Sequence, residues 1–132
     1  MQIAVDCADP EALAAFWAEV LDYRVPAPMG HATWRDYSAT EANEPGEAWC
    51  KAVDPDGSGA ALFFHRVPEA KATKNRLHLD VWVASGGDWS RVDAEVERLV
   101  GLGASVLRRR DDDGHCYVVM ADLEGNEFCV CG

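Results

Sequence analysis

Two periodicities alternate along this chain, and the alternation runs through twice. Residues 2–7 place apolar Ile3 and Val5 between polar neighbours, the two-residue period of a strand. Leu13, Phe16, Trp17, Val20 and Leu21 then follow the i, i+3, i+4, i+7, i+8 stripe of an amphipathic helix, introduced by Asp9 as N-cap, Pro10 at the first helical position and Glu11 in the first turn. The two-residue period returns at about 31–38, 48–53 and 60–67. Strand 76–83 restarts the cycle, followed by a second helix beginning near Ser90. There Asp93 stands three residues on as a shortened capping box, and Trp89 precedes it as a hydrophobic staple. Val92, Val96, Leu99 and Val100 form its apolar face, and Gly101 and Gly103 end it. Strands at about 104–110, 115–121 and 126–131 complete the second half.

Each half therefore reads as strand, helix and three strands. Acidic glycine turns at Asp54-Pro55-Asp56-Gly57 and Asp122-Leu123-Glu124-Gly125 lie 68 positions apart, and the opening strands 76. Such a repeat means two small modules, neither able to bury a core alone. The expected fold class is α+β. Two βαβββ modules in tandem, about 1–67 and 76–132 with a linker at 68–75, form a cupped, mostly antiparallel sheet with helices on its outer face. At 132 residues this is a single domain. Segment 39–47 reads as loop, and Arg108-Arg109-Arg110-Asp111-Asp112-Asp113 as a solvated, charged hairpin tip.

Strand parity sorts the side chains. Ile3 and Val5, and Leu77, Leu79, Val81 and Val83, face the helices, as do Leu62, Phe64, Phe128 and Val130. The opposite surface gathers Gln2, Asp6, Phe63 and His65 from one half and His78, Asp80, Trp82, Glu127 and Cys129 from the other. Acids, imidazoles and aromatics interleaved on one face suit a concave site for a small molecule. Trp34, Tyr37 and Trp49 fall on the middle strands of the first half and extend that surface. Trp17 belongs to the helix core.

Composition narrows the partners. Twenty-three acidic against 12 basic residues give a formal charge of -11, which argues against a nucleic acid or an anionic membrane and is compatible with a cationic ligand. Five scattered cysteines read as reduced thiols of a cytoplasmic protein. A strand from the second residue leaves no room for a signal peptide, and no apolar run is long enough to span a membrane.

Three stretches together, Asp6-Cys7-Ala8-Asp9-Pro10-Glu11-Ala12-Leu13-Ala14-Ala15-Phe16-Trp17, Asn75-Arg76-Leu77-His78-Leu79-Asp80 and Asp122-Leu123-Glu124-Gly125-Asn126-Glu127-Phe128-Cys129, resemble the glyoxalase-like branch of the vicinal oxygen chelate superfamily. This is the glyoxalase/bleomycin resistance protein/dioxygenase group. The resemblance runs from residue 2 to the C-terminus. It implies paired βαβββ modules and a divalent metal held by one residue on the first and one on the last strand of each module. In some members the metal is lost and the groove simply holds a ligand. The first-strand positions fall on Gln2 and His78, and the last-strand positions on Cys129 and near Phe63 to His65. The carboxylates usual there are missing, although Glu127 has the right parity one pleat early.

The resemblance thus implies a metal set of Gln2, His65, His78 and Glu127 for Zn, Fe, Mn or Ni, with a Cys129 thiolate favouring Zn. Glu127 is the fourth ligand or a catalytic general base, a role that needs its pKa raised. Two functions stay open: a metal-dependent lyase, isomerase or dioxygenase, and a metal-free, ligand-sequestering protein of the antibiotic-resistance type. Homodimer formation is implied by resemblance. The substrate groove comprises Asp6, Trp34, Trp49, Phe63, Asp80, Trp82 and Cys129.

Overall fold

The computed structural model describes residues 1–112 and 114–132. The chain divides into two compact units, Met1–Ala70 and Lys71–Gly132. The fold is mixed α+β, with three helices and two sheets among the described residues.

Unit 1 runs β1 (Gln2–Cys7), α1 (Pro10–Leu21), α2 (Trp34–Glu41), β2 (Trp49–Ala52) and β3 (Ala61–Arg66), with sheet order β1-β3-β2. β1 pairs with β3 in parallel, Gln2 beside Ala61 and Asp6 beside His65. β2 pairs antiparallel, Trp49 beside His65. Asp9 caps α1 by accepting from the Ala12 N–H at 3.2 Å, with Pro10 at the first turn. The helix buries Leu13, Phe16, Trp17 and Val20 against the sheet face carrying Cys50, Ala52, Leu62 and Phe64. Full burial of a side chain such as Phe64 stabilises by about 1.5–3 kcal/mol.

Residues 31–38 are not a strand. Thr33 accepts from the Asp36 N–H at 3.0 Å and starts helix α2. The alternation that suggested a strand is equally compatible with a short helix that half-buries Trp34 and Tyr37 and buries Ser38, three and four residues apart, and exposes Arg35, Asp36, Ala39 and Thr40. The loop expected at 39–47 begins only after Glu41. Beside β2, an isolated bridge of Arg24 with Val53, two 2.9 Å hydrogen bonds, is what pairs with this end of the chain. α2 also serves the edge of β2. The Ser38 hydroxyl accepts the Trp49 N–H at 3.1 Å, a main-chain donor near the start of the strand.

Unit 2 has the full set: β4 (Asp80–Trp82), α3 (Trp89–Gly101), β5 (Ser105–Asp112), β6 (His115–Ala121) and β7 (Glu127–Cys131), in sheet order β4-β7-β6-β5. β4 pairs in parallel with β7, Asp80 beside Cys129. Val92 and Leu99 are buried with Val118, Met120, Phe128 and Val130. Asp88, rather than Ser90, caps α3, accepting from the Ser90 and Arg91 N–H groups at 3.0 and 3.3 Å. Val100 lies off the packed stripe at 47% exposure.

Two further expectations change. Arg108–Asp112 belong to strand β5 rather than to a hairpin tip, and Arg109 crosses to α3, its guanidinium 3.6 Å from the Trp89 ring centre and paired with Asp93. Asp113, the last residue of that run, lies outside the described residues. The expected strand 76–83 shrinks to three residues, and Leu77 is 65% exposed instead of facing a helix.

Candidate functional site

In each unit the helix covers one sheet face, and strand parity leaves the other for chemistry. On unit 1 the register lines up Trp49, His65 and Asp6 across β2, β3 and β1, and behind them Lys51, Phe63 and Ala4. His65 stacks on Trp49 with ring centres 6.2 Å apart and planes 14° apart. Its Nδ1 is 3.9 Å from Asp6 Oδ1 and its Nε2 3.6 Å from Glu47 Oε1. Glu47, unforeseen in the sequence because it sits in a loop, is fixed from behind, its Oε2 accepting the Asn43 and Glu44 N–H groups. Tyr37 continues the aromatic line 5.9 Å from Trp49, with Trp34 and His31 at 5.5 and 5.3 Å from it. Trp34 therefore stands on α2, off the sheet, its Nε1 donating to the Pro26 carbonyl at 2.7 Å. A cleft of about 580 Å³ shares Glu47 and Trp49 with this cluster and is walled by the start of α1, by α2 and by the 42–49 segment. Its size is that of a small-molecule pocket.

The register separates two residues proposed to share a metal. Gln2 faces Ala61, whereas His65 faces Asp6 four residues further along, roughly 13 Å away down the strand. Unit 1 thus offers Gln2 without a second donor beside it. The side chain opposite is a methyl group.

On unit 2 the open face carries Asp80 and Trp82, the latter 61% exposed, with Cys129 and Cys131 buried between strands. Burial, reinforced by Asp80, pushes the Cys129 thiol up to about 12, and burial pushes Cys131 up to about 11. Buried as they are, these thiols serve as packing groups.

The β4–β7 register runs from Asp80 beside Cys129, and His78 and Glu127 lie just before it on their two segments. Both are already engaged by the segment before β4. Glu127 Oε2 accepts the Asn75 N–H at 2.9 Å and pairs with the Lys71 ammonium at 3.2 Å. His78 Nε2 lies 3.3 Å from the Asn75 carbonyl and 3.3 Å from Lys74 Nζ. Protonated, that nitrogen donates to Asn75; bare, it accepts from Lys74; in either tautomer it is in use. The Asn75 N–H, with Lys71 adding to it, holds the Glu127 carboxyl below the ordinary range. That is the reverse of what a general base requires. Among the described residues, no three His, Cys, Asp or Glu side chains are grouped as metal ligands. Engaged in this way, the described donors of unit 2 do not fit a divalent metal.

The glyoxalase-like domain family matches residues 2–131. The chain belongs to that family. It is a member of the vicinal oxygen chelate superfamily. No curated protein matches the chain. Among solved structures, a glyoxalase/bleomycin resistance protein/dioxygenase family enzyme from Burkholderia phytofirmans PsJN is 13% identical with a TM-score of 0.66, over 98% of this chain and 94% of its own. The fosfomycin resistance protein FosX from Mesorhizobium loti is 17% identical with a TM-score of 0.66, over 98% and 87%. FosX from Listeria monocytogenes, in a complex with Mn(II) and 1S,2S-dihydroxypropylphosphonic acid, is 14% identical with a TM-score of 0.66, over 98% and 85%. At such identities the likeness is one of fold. Among the described residues, no helix is long and apolar enough to cross a membrane.

Proposed function

We propose that this glyoxalase-like protein binds a small, planar, cationic molecule on the open sheet face of unit 1 and does so without a resident metal. One observation carries the reading: Trp49 and His65 stack between two carboxylates, Asp6 and Glu47, on the sheet face opposite α1. An indole face and fixed carboxylates attract a delocalised cation, each such contact contributing about 0.5–2 kcal/mol according to its desolvation. Phe63 extends the apolar floor. In unit 2, Trp82 and Asp80 offer the same pairing of ring and acid. Function of this kind is sequestration, in the manner of the bleomycin-resistance relatives, and asks no proton transfer of Glu127.

The second reading is a divalent-metal-dependent lyase, isomerase or dioxygenase with His78 and Glu127 among its ligands. Its support is the Mn(II) bound by FosX from Listeria monocytogenes, and it requires His78 and Glu127 to leave their present partners. Five buried free thiols support a reducing, cytoplasmic setting, and the family resemblance supports a homodimer.

Titration with proflavine, a planar cation, in the presence of EDTA tests the binding reading. Saturable quenching of tryptophan fluorescence is expected, weakened about tenfold by Glu47→Gln or Asp6→Asn, the equivalent of one lost charge contact. Binding that appears only when Zn²⁺ or Mn²⁺ is supplied contradicts it.

A further inference from the structure

We infer that the segment Lys71–Asn75 is a built-in cation that takes the place of a divalent metal at His78 and Glu127 of unit 2. This rests on the metal-free reading above and gives it a cause. The geometry is a clasp. One residue, Asn75, spans both side chains, its N–H on Glu127 and its carbonyl on the His78 ring. Two ammonium groups arrive from the same five residues. Lys71 is held by the Thr73 carbonyl at 2.7 Å while it meets Glu127, and Lys74 meets His78. Glu127 retains only 14% side-chain exposure beneath them. The Lys71 stem lies over the Asp122–Gly125 turn, 3.8 Å from where a Gly125 Cβ would stand.

A metal ion entering here must displace one ammonium and one peptide group and leave a lysine charge next to its own. A divalent cation beside an ammonium about 4 Å away is repelled even at the high effective dielectric of a protein surface. The same charges that compensate Glu127 therefore exclude the metal. The short β4 has the same origin: residues 75–78 are spent on the clasp before the ladder begins at Asp80.

The test uses tag-free protein and the metals alone, Zn²⁺ by calorimetry and Mn²⁺ by the loss of its aqueous EPR signal. Wild-type protein should bind neither in a His78-dependent way. Lys71→Ala/Lys74→Ala should bind at least about tenfold more tightly, the step typical of a changed partner around a metal ligand, and His78→Ala in that background should abolish the gain. Stoichiometric, His78-dependent metal in the wild type overturns the inference, as does a double variant that binds no better. Amide exchange at Asn75 keeps the idea falsifiable if the double variant does not fold. Protection lost in Glu127→Ala, which removes the acceptor, is expected, and an unprotected Asn75 in the wild type overturns the clasp. Proflavine binding in EDTA is independent of these outcomes, so either claim can fail while the other stands.

Discussion

The two units answer the same problem, an exposed sheet edge, in different ways. Unit 2 keeps all four strands and leaves β5 outermost, exposed along its whole length, blunted by arginines, aspartates and a register shift between Val106 and Arg108. Unit 1 has three strands and sets α2 beside β2, using Ser38 to satisfy a main-chain donor. The consequence reaches the chemistry. α2 brings Tyr37 to Trp49 and forms one wall of the cleft beside Glu47, whereas unit 2 spends its polar groups on the Lys71–Asn75 clasp. On the reading proposed above, one copy of the module is open to a ligand and the other is closed to a metal.

The deepest test of that comparison is whether the cores remain equivalent beneath the divergent faces. Phe64 and Phe128 are both fully buried, so Phe64→Ala and Phe128→Ala should each cost about 3–5 kcal/mol in denaturant unfolding. A cost confined to one unit breaks the equivalence. Next come the acidic turns. Asp122 is buried and accepts from the Glu124 and Asn126 N–H groups and the Asn126 amide. Asp122→Ala should cost about 1–3 kcal/mol, because several donors lose their acceptor together. Ser38→Ala, which removes only the α2 contact to the β2 edge, should cost about 1 kcal/mol and loosen amide protection at Trp49.

The smallest effect is electrostatic. Asp54, the half-buried counterpart of Asp122, accepts from Gly59, Asp56 and Ser58, the Gly59 N–H most of all, and these bonds lower its pKa from 3.8. Its folded pKa lies below the unfolded one. The stability it contributes is therefore present above about pH 4 and lost as pH falls through the folded value. Asp54→Asn should flatten the acid limb of a melting-temperature profile below pH 4 and leave pH 7 to the hydrogen bonds alone. An unchanged acid limb contradicts the assignment.

What the residues disclosed, and what they hid, follows from range. Helix α1 was legible because Asp9, Pro10 and a twelve-residue stripe agree locally. The face assignments of Leu62, Phe64, Phe128 and Val130 were legible because a closing strand has a single buried side. α2 was not: eight residues with only Trp34, Tyr37 and Ser38 turned inward are too few to fix a period, and only Thr33 as a cap decides. The register that parts Gln2 from His65 is a pairing between residues about sixty apart, invisible to any local pattern. The clasp escaped for the same reason, since Asn75 meets Glu127 across 52 positions. Lysines in a connecting segment also carry no periodic signal.

Two-dimensional ¹⁵N NMR of the tag-free protein, kept in EDTA and titrated with proflavine, tests the contrast between the units most directly. Saturable shifts should appear at Asp6, Glu47, Trp49 and His65, with Asn75, His78 and Glu127 unmoved. Shifts centred on His78 and Glu127, or shifts that appear only after Zn²⁺ or Mn²⁺ is added, would contradict the account.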